Sequence, residues 1–115
     1  RRFSIKTSSV EANCSSLSGG NLQKVVIAKC LNIEPRLLLL DNPTRGIDVG
    51  ARSEIYQLIK ELTSRGVAVI MSSEDLVEII NISHRLIVMK KGTVSKEFSE
   101  SLENLTEKEV ITHMV

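Results

Sequence analysis

Residues 36–41 read RLLLLD, four leucines running directly into a carboxylate. A continuous apolar run this short suits a strand buried on both faces, and such strands belong to parallel sheets covered by helices. The flanks agree with that reading. Upstream, LSGGNLQKVVIAKCLNIEP (17–35) has the pattern of a helix. Ser18 is the N-cap candidate. Leu22, Val25, Val26 and Lys29 fall on one side, Ile27, Cys30 and Leu31 widen the apolar surface, and Pro35 ends the helix. Downstream, NPTRGIDVG (42–50) is a turn-rich loop. It leads into ARSEIYQLIKELTSRG (51–66), where Ile55, Leu58, Ile59 and Leu62 repeat at i, i+3, i+4 and i+7 and Gly66 supplies the stop.

The remainder extends the alternation. VAVIMSS (67–73) is a second buried strand, and EDLVEIINIS (74–83) a short helix. HRLIVMKKGTVSKEFS (84–99) is a pair of strands joined at Lys90-Lys91-Gly92, and TEKEVITHMV (106–115) a terminal helix opened by a capping box of Thr106 and Glu109. Parallel crossovers of this kind are right-handed. The expected fold class is therefore α/β, with parallel sheet strands, flanking helices and a C-terminal strand pair. Residues 1–16, polar and Ser-rich, read as a loop or linker, and residues 17–115 as the structured portion. The opening without Met reads as an excised segment.

Composition narrows the function classes. The 115 residues carry a net charge of +1 and only 3% aromatics, so neither a basic nucleic-acid surface nor a base-stacking platform is expected. No apolar run approaches the ~20 residues a membrane helix needs. Cys14 and Cys30 are too far apart for any metal-ligand spacing and read as reduced, partly buried thiols. His84 and His113 have no ligand-type neighbours and read as surface or structural residues.

Three short motifs carry chemistry. Ser18-Gly19-Gly20 opens a helix, where uncovered backbone N–H groups and the helix dipole suit a phosphate; alone, an ordinary N-cap explains it equally well. Asp41 at a strand end can hold Mg²⁺, usually through water, beside a nucleotide's phosphates. Asp48 sits in the following loop, where a helix-start residue is the plainer reading. Ligands in such sheets bind outside the strand carboxyl ends, and Asp41 and Ser72-Ser73-Glu74 both lie there, which predicts one shared rim.

Taken in their unbroken order, these motifs resemble the C-terminal part of an ABC-transporter ATP-binding domain. LSGGNLQKVVIAKCL resembles the signature and its helix, and LLLLDNPTRGIDVGAR resembles Walker B and the D-loop. The NLQK and TRGIDVGAR details are most similar to ATP-binding subunits of ribose/galactose-type sugar importers, and within them to the second of two tandem domains. The resemblance implies a partial P-loop NTPase fold. It implies that Ser18, Gly19, Gly20 and Asn21 bind the γ-phosphate of an ATP held mainly by an opposing domain, that Asp41 lies near Mg²⁺, and that Asp48 signals across the dimer interface. It further implies a second ABC domain and a membrane permease as partners, with the parent on the cytoplasmic face of the plasma membrane.

Three departures qualify this. No G-x-x-x-x-G-K-[ST] loop is present, since GTVSKEF (92–98) does not match it, and the family places that loop upstream of the signature; truncation is the expected cause. Asn42 stands at the usual catalytic Glu position, and an amide orients a water without taking its proton, a loss worth ~10²–10⁴-fold in rate. Glu74 stands at the usual switch-His position, where its charge would repel a γ-phosphate. Together Asn42 and Glu74 point to a degenerate site. The alternatives are a non-hydrolytic regulatory or dimerisation module, and a soluble ABC ATPase of translation or DNA repair, against which the TRGIDVGAR loop and mild charge argue. A further expectation is a homodimer of the chain through apolar sheet surface left uncovered.

Overall fold

The computed structural model describes residues 3–100 and 102–115. The order of elements is α1 (Gly19–Leu31), β1 (Leu37–Asp41), α2 (Val49–Ser64), β2 (Ala68–Ser72), α3 (Leu76–Ile82), β3 (Leu86–Lys90), β4 (Thr93–Phe98) and α4 (Glu107–Met114). Short 3₁₀ turns at Cys14–Ser16 and Leu102–Asn104 complete it. The chain divides into two compact units, one ending at Met71 and the other spanning Ser72–Val115.

In the first unit, β1 and β2 form a parallel pair, with α1 and α2 packed on one another. The core is Ile27, Leu38, Ile47, Ile55, Leu58, Ile59 and Leu62. All four residues of the α2 periodicity are buried, because the i, i+3, i+4, i+7 stripe is the face that meets the core. The helix stops in a Schellman motif. Gly66, at φ +88°, donates its N–H to the Thr63 carbonyl at 3.0 Å, and Val67 donates to Leu62 at 3.1 Å.

Other expectations for this unit change. Leu38 alone of the β1 leucines is buried; Leu37 and Leu39 are 48% and 69% exposed, and Ile70 of β2 is 61% exposed. A parallel strand is buried on both faces only where helices or further strands cover both. Here one face of the pair meets the core, and none of the described residues covers the other. The face of α1 also differs: its buried residues are Gly20, Lys24 and Ile27, while Leu22 and Val26 are exposed. The helix ends at Leu31 with Asn32 as C-cap, well before Pro35. Cys14 and Cys30 are free and exposed rather than partly buried, Cys30 because it lies on the outer side of α1.

In the second unit, β3 and β4 pair antiparallel around Lys91 and Gly92, at φ +49° and +80°. Two consecutive positive φ values give the turn the twist of the strands it joins. A bulge between Val88 and Met89 shifts the register from Val88↔Lys96 to Met89↔Val94. α4 packs on β3 and β4 and closes a core of Ile79, Leu86, Val88, Leu102 and Val110. His113 meets Phe98 edge-on at 5.8 Å, a structural role. The capping box forms as expected, with both Thr106–Glu109 exchanges present.

Candidate functional site

All the candidate residues except Glu74 lie in the first unit. They sit at the start of α1, the end of β1 and the start of α2.

Ser18 is extended at φ −62°, ψ 156°, and caps α1. Its Oγ accepts from the Asn21 N–H at 3.4 Å and from Asn21 Nδ2 at 2.9 Å. Asn21 Oδ1 in turn accepts from the Lys6 N–H at 2.9 Å, tying the preceding segment to this turn. The N–H groups of Gly19 and Gly20 lie in the first turn and have no acceptor within the helix. No acidic residue occupies that turn, so the positive end of the dipole is uncompensated there.

The two glycines have different roles. Gly19 is exposed, and a side chain on it would meet only the Gly46 carbonyl, at 4.0 Å. Gly20 is buried, and a Cβ on it would lie 2.4 Å from Ala51 Cβ and 3.6 Å from Ile47 Cγ2. The glycine pair thus places one open backbone position next to one helix-packing position.

Asp41 is exposed at the end of β1, and Asn42 Nδ2 donates to its Oδ1 at 3.1 Å. Asn42 has φ +44°, a left-handed conformation that Asn tolerates better than other side chains with a Cβ. Pro43 and Thr44 are buried behind it. The Arg45 N–H donates to the Asn42 carbonyl at 3.1 Å, and Arg52 Nε donates to the Ile47 carbonyl at 3.0 Å. Asp48 caps α2, its Oδ1 accepting from the Ala51 N–H at 3.0 Å, so the helix-start reading holds at this position.

Glu74 is exposed in the second unit, between Ser72, the last residue of β2, and Asp75, which caps α3 by accepting from the Glu78 N–H at 3.0 Å. Asp41 and Ser72 are the last residues of the paired parallel strands β1 and β2, while Ser73 and Glu74 follow in the second unit. Ser73 Oγ donates to the buried Glu78 carboxylate and accepts from the Asp75 N–H at 3.0 Å, so Ser73 serves the start of α3.

Among the described residues no three His, Cys, Asp or Glu side chains cluster as a metal site. Mg²⁺ needs no such cluster, since it keeps several waters and binds one or two carboxylates together with substrate phosphates. An exposed Asp41 at a strand end fits that donor set, and it would supply one hard oxygen or hold a metal-bound water.

The sequence reading passed over Lys24. It is 4% exposed and pairs with Glu54 of α2. Its ammonium pKa is lowered by burial and, secondarily, by the charge of Lys6. Lys24 and Glu54 help line a cleft of about 350 Å³ with Phe3, Ser4, Gln57, Leu58 and Glu61. A signal did exist: Gly20, Lys24 and Ile27 are spaced i, i+4, i+7, which marks a second stripe on α1.

A model of the ABC transporter family matches residues 2–45. A ribose import ATP-binding protein of Bacillus licheniformis is 52% identical over 112 residues, covering 97% of this chain and 22% of that protein. The chain belongs to the ABC transporter ATP-binding family. A xylose import ATP-binding protein of Moorella thermoacetica is 51% identical over 110 residues, covering 96% of the chain and 21% of that protein. A dimeric bacterial ABC transporter cassette shares 30% identity at a TM-score of 0.72, covering 84% of this chain and 42% of that one. The chain thus spans about a fifth of the length of the curated ABC relatives it matches. Ser18, Gly19, Gly20, Asn21, Asp41 and Asn42 all fall inside the family-matched residues. No described helix of this ABC chain is long and apolar enough to cross a membrane.

Proposed function

We propose that the chain supplies the signature, Walker B and D-loop elements of the composite ATP sites in the ATP-binding subunit of a sugar ABC importer. The observation that carries this is the association of three site elements in one unit. The Gly20–Ala51 contact holds the start of α1, with the Gly19 and Gly20 N–H groups, against the start of α2, which Asp48 caps, and Asp41 ends β1 in the same unit. The ribose and xylose import relatives support the sugar class. In this reading Ser18, Gly19 and Asn21 face a γ-phosphate presented by a second ABC domain, Gly20 sets the spacing behind them, and Asp41 holds Mg²⁺ through water. Asp48 reports across the domain interface, and a membrane permease receives the motion at the cytoplasmic face of the membrane.

This half-site is catalytically degenerate in our reading. Asn42 donates to Asp41, whereas a general base would need an oxygen directed at water. Glu74 places a negative charge where the family has its switch histidine. The lack of that histidine supports the second domain of a tandem importer ATPase as the place of this chain. The same Asn42 geometry favours, as a second reading, a module that closes on nucleotide without hydrolysing it.

Two experiments test these readings. The 115-residue chain alone is expected to show no ATPase and very weak Mg-ATP binding by calorimetry; micromolar affinity would sink the requirement for an opposing domain. In a two-domain importer ATPase carrying this sequence, Asn42→Glu is expected to raise turnover. Unchanged turnover would favour the non-hydrolytic reading.

A further inference from the structure

Lys24 is a charged side chain on the buried stripe of a helix whose first turn carries the candidate phosphate contacts. Gly20, on the same stripe, admits Ala51 at a separation that leaves no room for a methyl group. Lys24 lies one turn further along, and its ammonium reaches Glu54, which follows Ala51 on α2. Nζ also approaches the Ser4 carbonyl at 3.5 Å, and Lys6 donates to Asn21. One close contact and one ion pair therefore fix α1 against α2 at successive turns. The N-termini of those helices are capped by Ser18 and Asp48.

We propose that Lys24 is a positioning residue: through Glu54 it sets the placement of the Ser18–Asn21 turn against the Asp48 loop, so that anion binding at one helix start is felt at the other. This rests on the nucleotide reading for its functional half, while its geometric half stands independently. Stability is a poor readout here. Glu54 is 48% exposed, and removing Lys24 returns it to water without stranding it. A Lys24→Met chain is therefore expected to fold.

The test uses NMR on the 115-residue chain. In the unmodified chain a strong nuclear Overhauser contact is expected between the Gly20 α-protons and the Ala51 methyl. Lys24→Met should weaken it while the α1 and α2 amide signals stay helical. Lys24→Arg, and the reversed pair Lys24→Glu with Glu54→Lys, should restore it. Titration with millimolar Mg-ATP should shift the Ser18–Asn21 amides, with a response weakened roughly two- to fivefold in Lys24→Met, the size of one lost helix-terminus contact, and recovered in Lys24→Arg. A Gly20–Ala51 contact undiminished in Lys24→Met overturns the proposal. So does a weakened contact with an unchanged ATP response. If Mg-ATP shifts no amide in the unmodified chain, the requirement for an opposing domain is supported, and the Gly20–Ala51 contact alone decides whether Lys24 positions the turn.

Discussion

Gly20 of α1 and Ala51 of α2 approach so closely that a Cβ on Gly20 would lie 2.4 Å from the Ala51 methyl carbon. Neither side can yield easily, because one contact atom is a methyl fixed to the backbone and both helices are packed. Gly20→Ala is expected to destabilise the chain by about 1–3 kcal/mol through overpacking. Gly19→Ala meets only the Gly46 carbonyl at 4.0 Å and should leave stability unchanged or raise it by a few tenths of a kcal/mol. Urea midpoints of the two variants check this. Equal midpoints would mean the helices separate without cost.

Asn42 takes a left-handed backbone, φ +44°, one residue past the Asp41 carboxylate. A glutamate there loses the local tolerance that Asn enjoys, so Asn42→Glu should cost about 1 kcal/mol in the isolated chain. Asn42→Gly should be neutral or slightly stabilising, since the backbone strain is relieved. Chemical denaturation of the two variants tests the order. A stable Asn42→Glu chain would show that the turn relaxes, and the amide would then need a reason other than conformation.

The elements whose signals are local were legible in the sequence. The α2 stripe, the Gly66 stop, the Lys91-Gly92 turn and the Thr106–Glu109 box each depend on residues within a few positions of one another, and all formed. Strand burial depends on what covers a strand, which no run of leucines specifies; Leu37, Leu39 and Ile70 are exposed for that reason. Lys24 was missed because a lysine on a helix reads as solvated, and its burial follows from a Glu thirty positions away. Gly20 read as a phosphate-facing glycine, but its packing role needed the position of Ala51. The order of Ser18, Asp41 and Asp48 did reveal the family, because motif order is a property of the sequence itself.

The open face of β1 and β2 presents Leu37, Leu39 and Ile70 to solvent. Contiguous apolar surface of this kind drives association, and a two-stranded sheet adds unpaired edge groups. The isolated chain should self-associate in a concentration-dependent way. Leu39→Lys should shift the equilibrium toward monomer without unfolding, because Leu39 is 69% exposed. Light scattering over a dilution series measures both, and a clean monomer at high concentration would show that this face does not self-associate.

The Thr106–Glu109 box gives α4 an acid-sensitive start. Glu109 accepts from Thr106 Oγ at 2.7 Å and from the Thr106 N–H at 2.9 Å. The side-chain bond, and then the backbone bond, lower its pKa below the ordinary glutamate value, against a smaller opposing effect of burial. A carboxyl whose folded pKa is depressed binds fewer protons in the folded chain than in the unfolded one. Its contribution is therefore complete above the unfolded value and is lost as pH falls through the folded value. The Glu109 and Thr106 amide signals should titrate together on the acid side of the ordinary carboxylate range, with loosening of the first turn of α4. Thr106→Ala removes the larger cause and leaves the backbone bond, so the midpoint should move up toward the ordinary value without reaching it. NMR titration of the two chains measures both midpoints. Coincident midpoints would show that the Thr106 hydroxyl does not stabilise the Glu109 carboxylate.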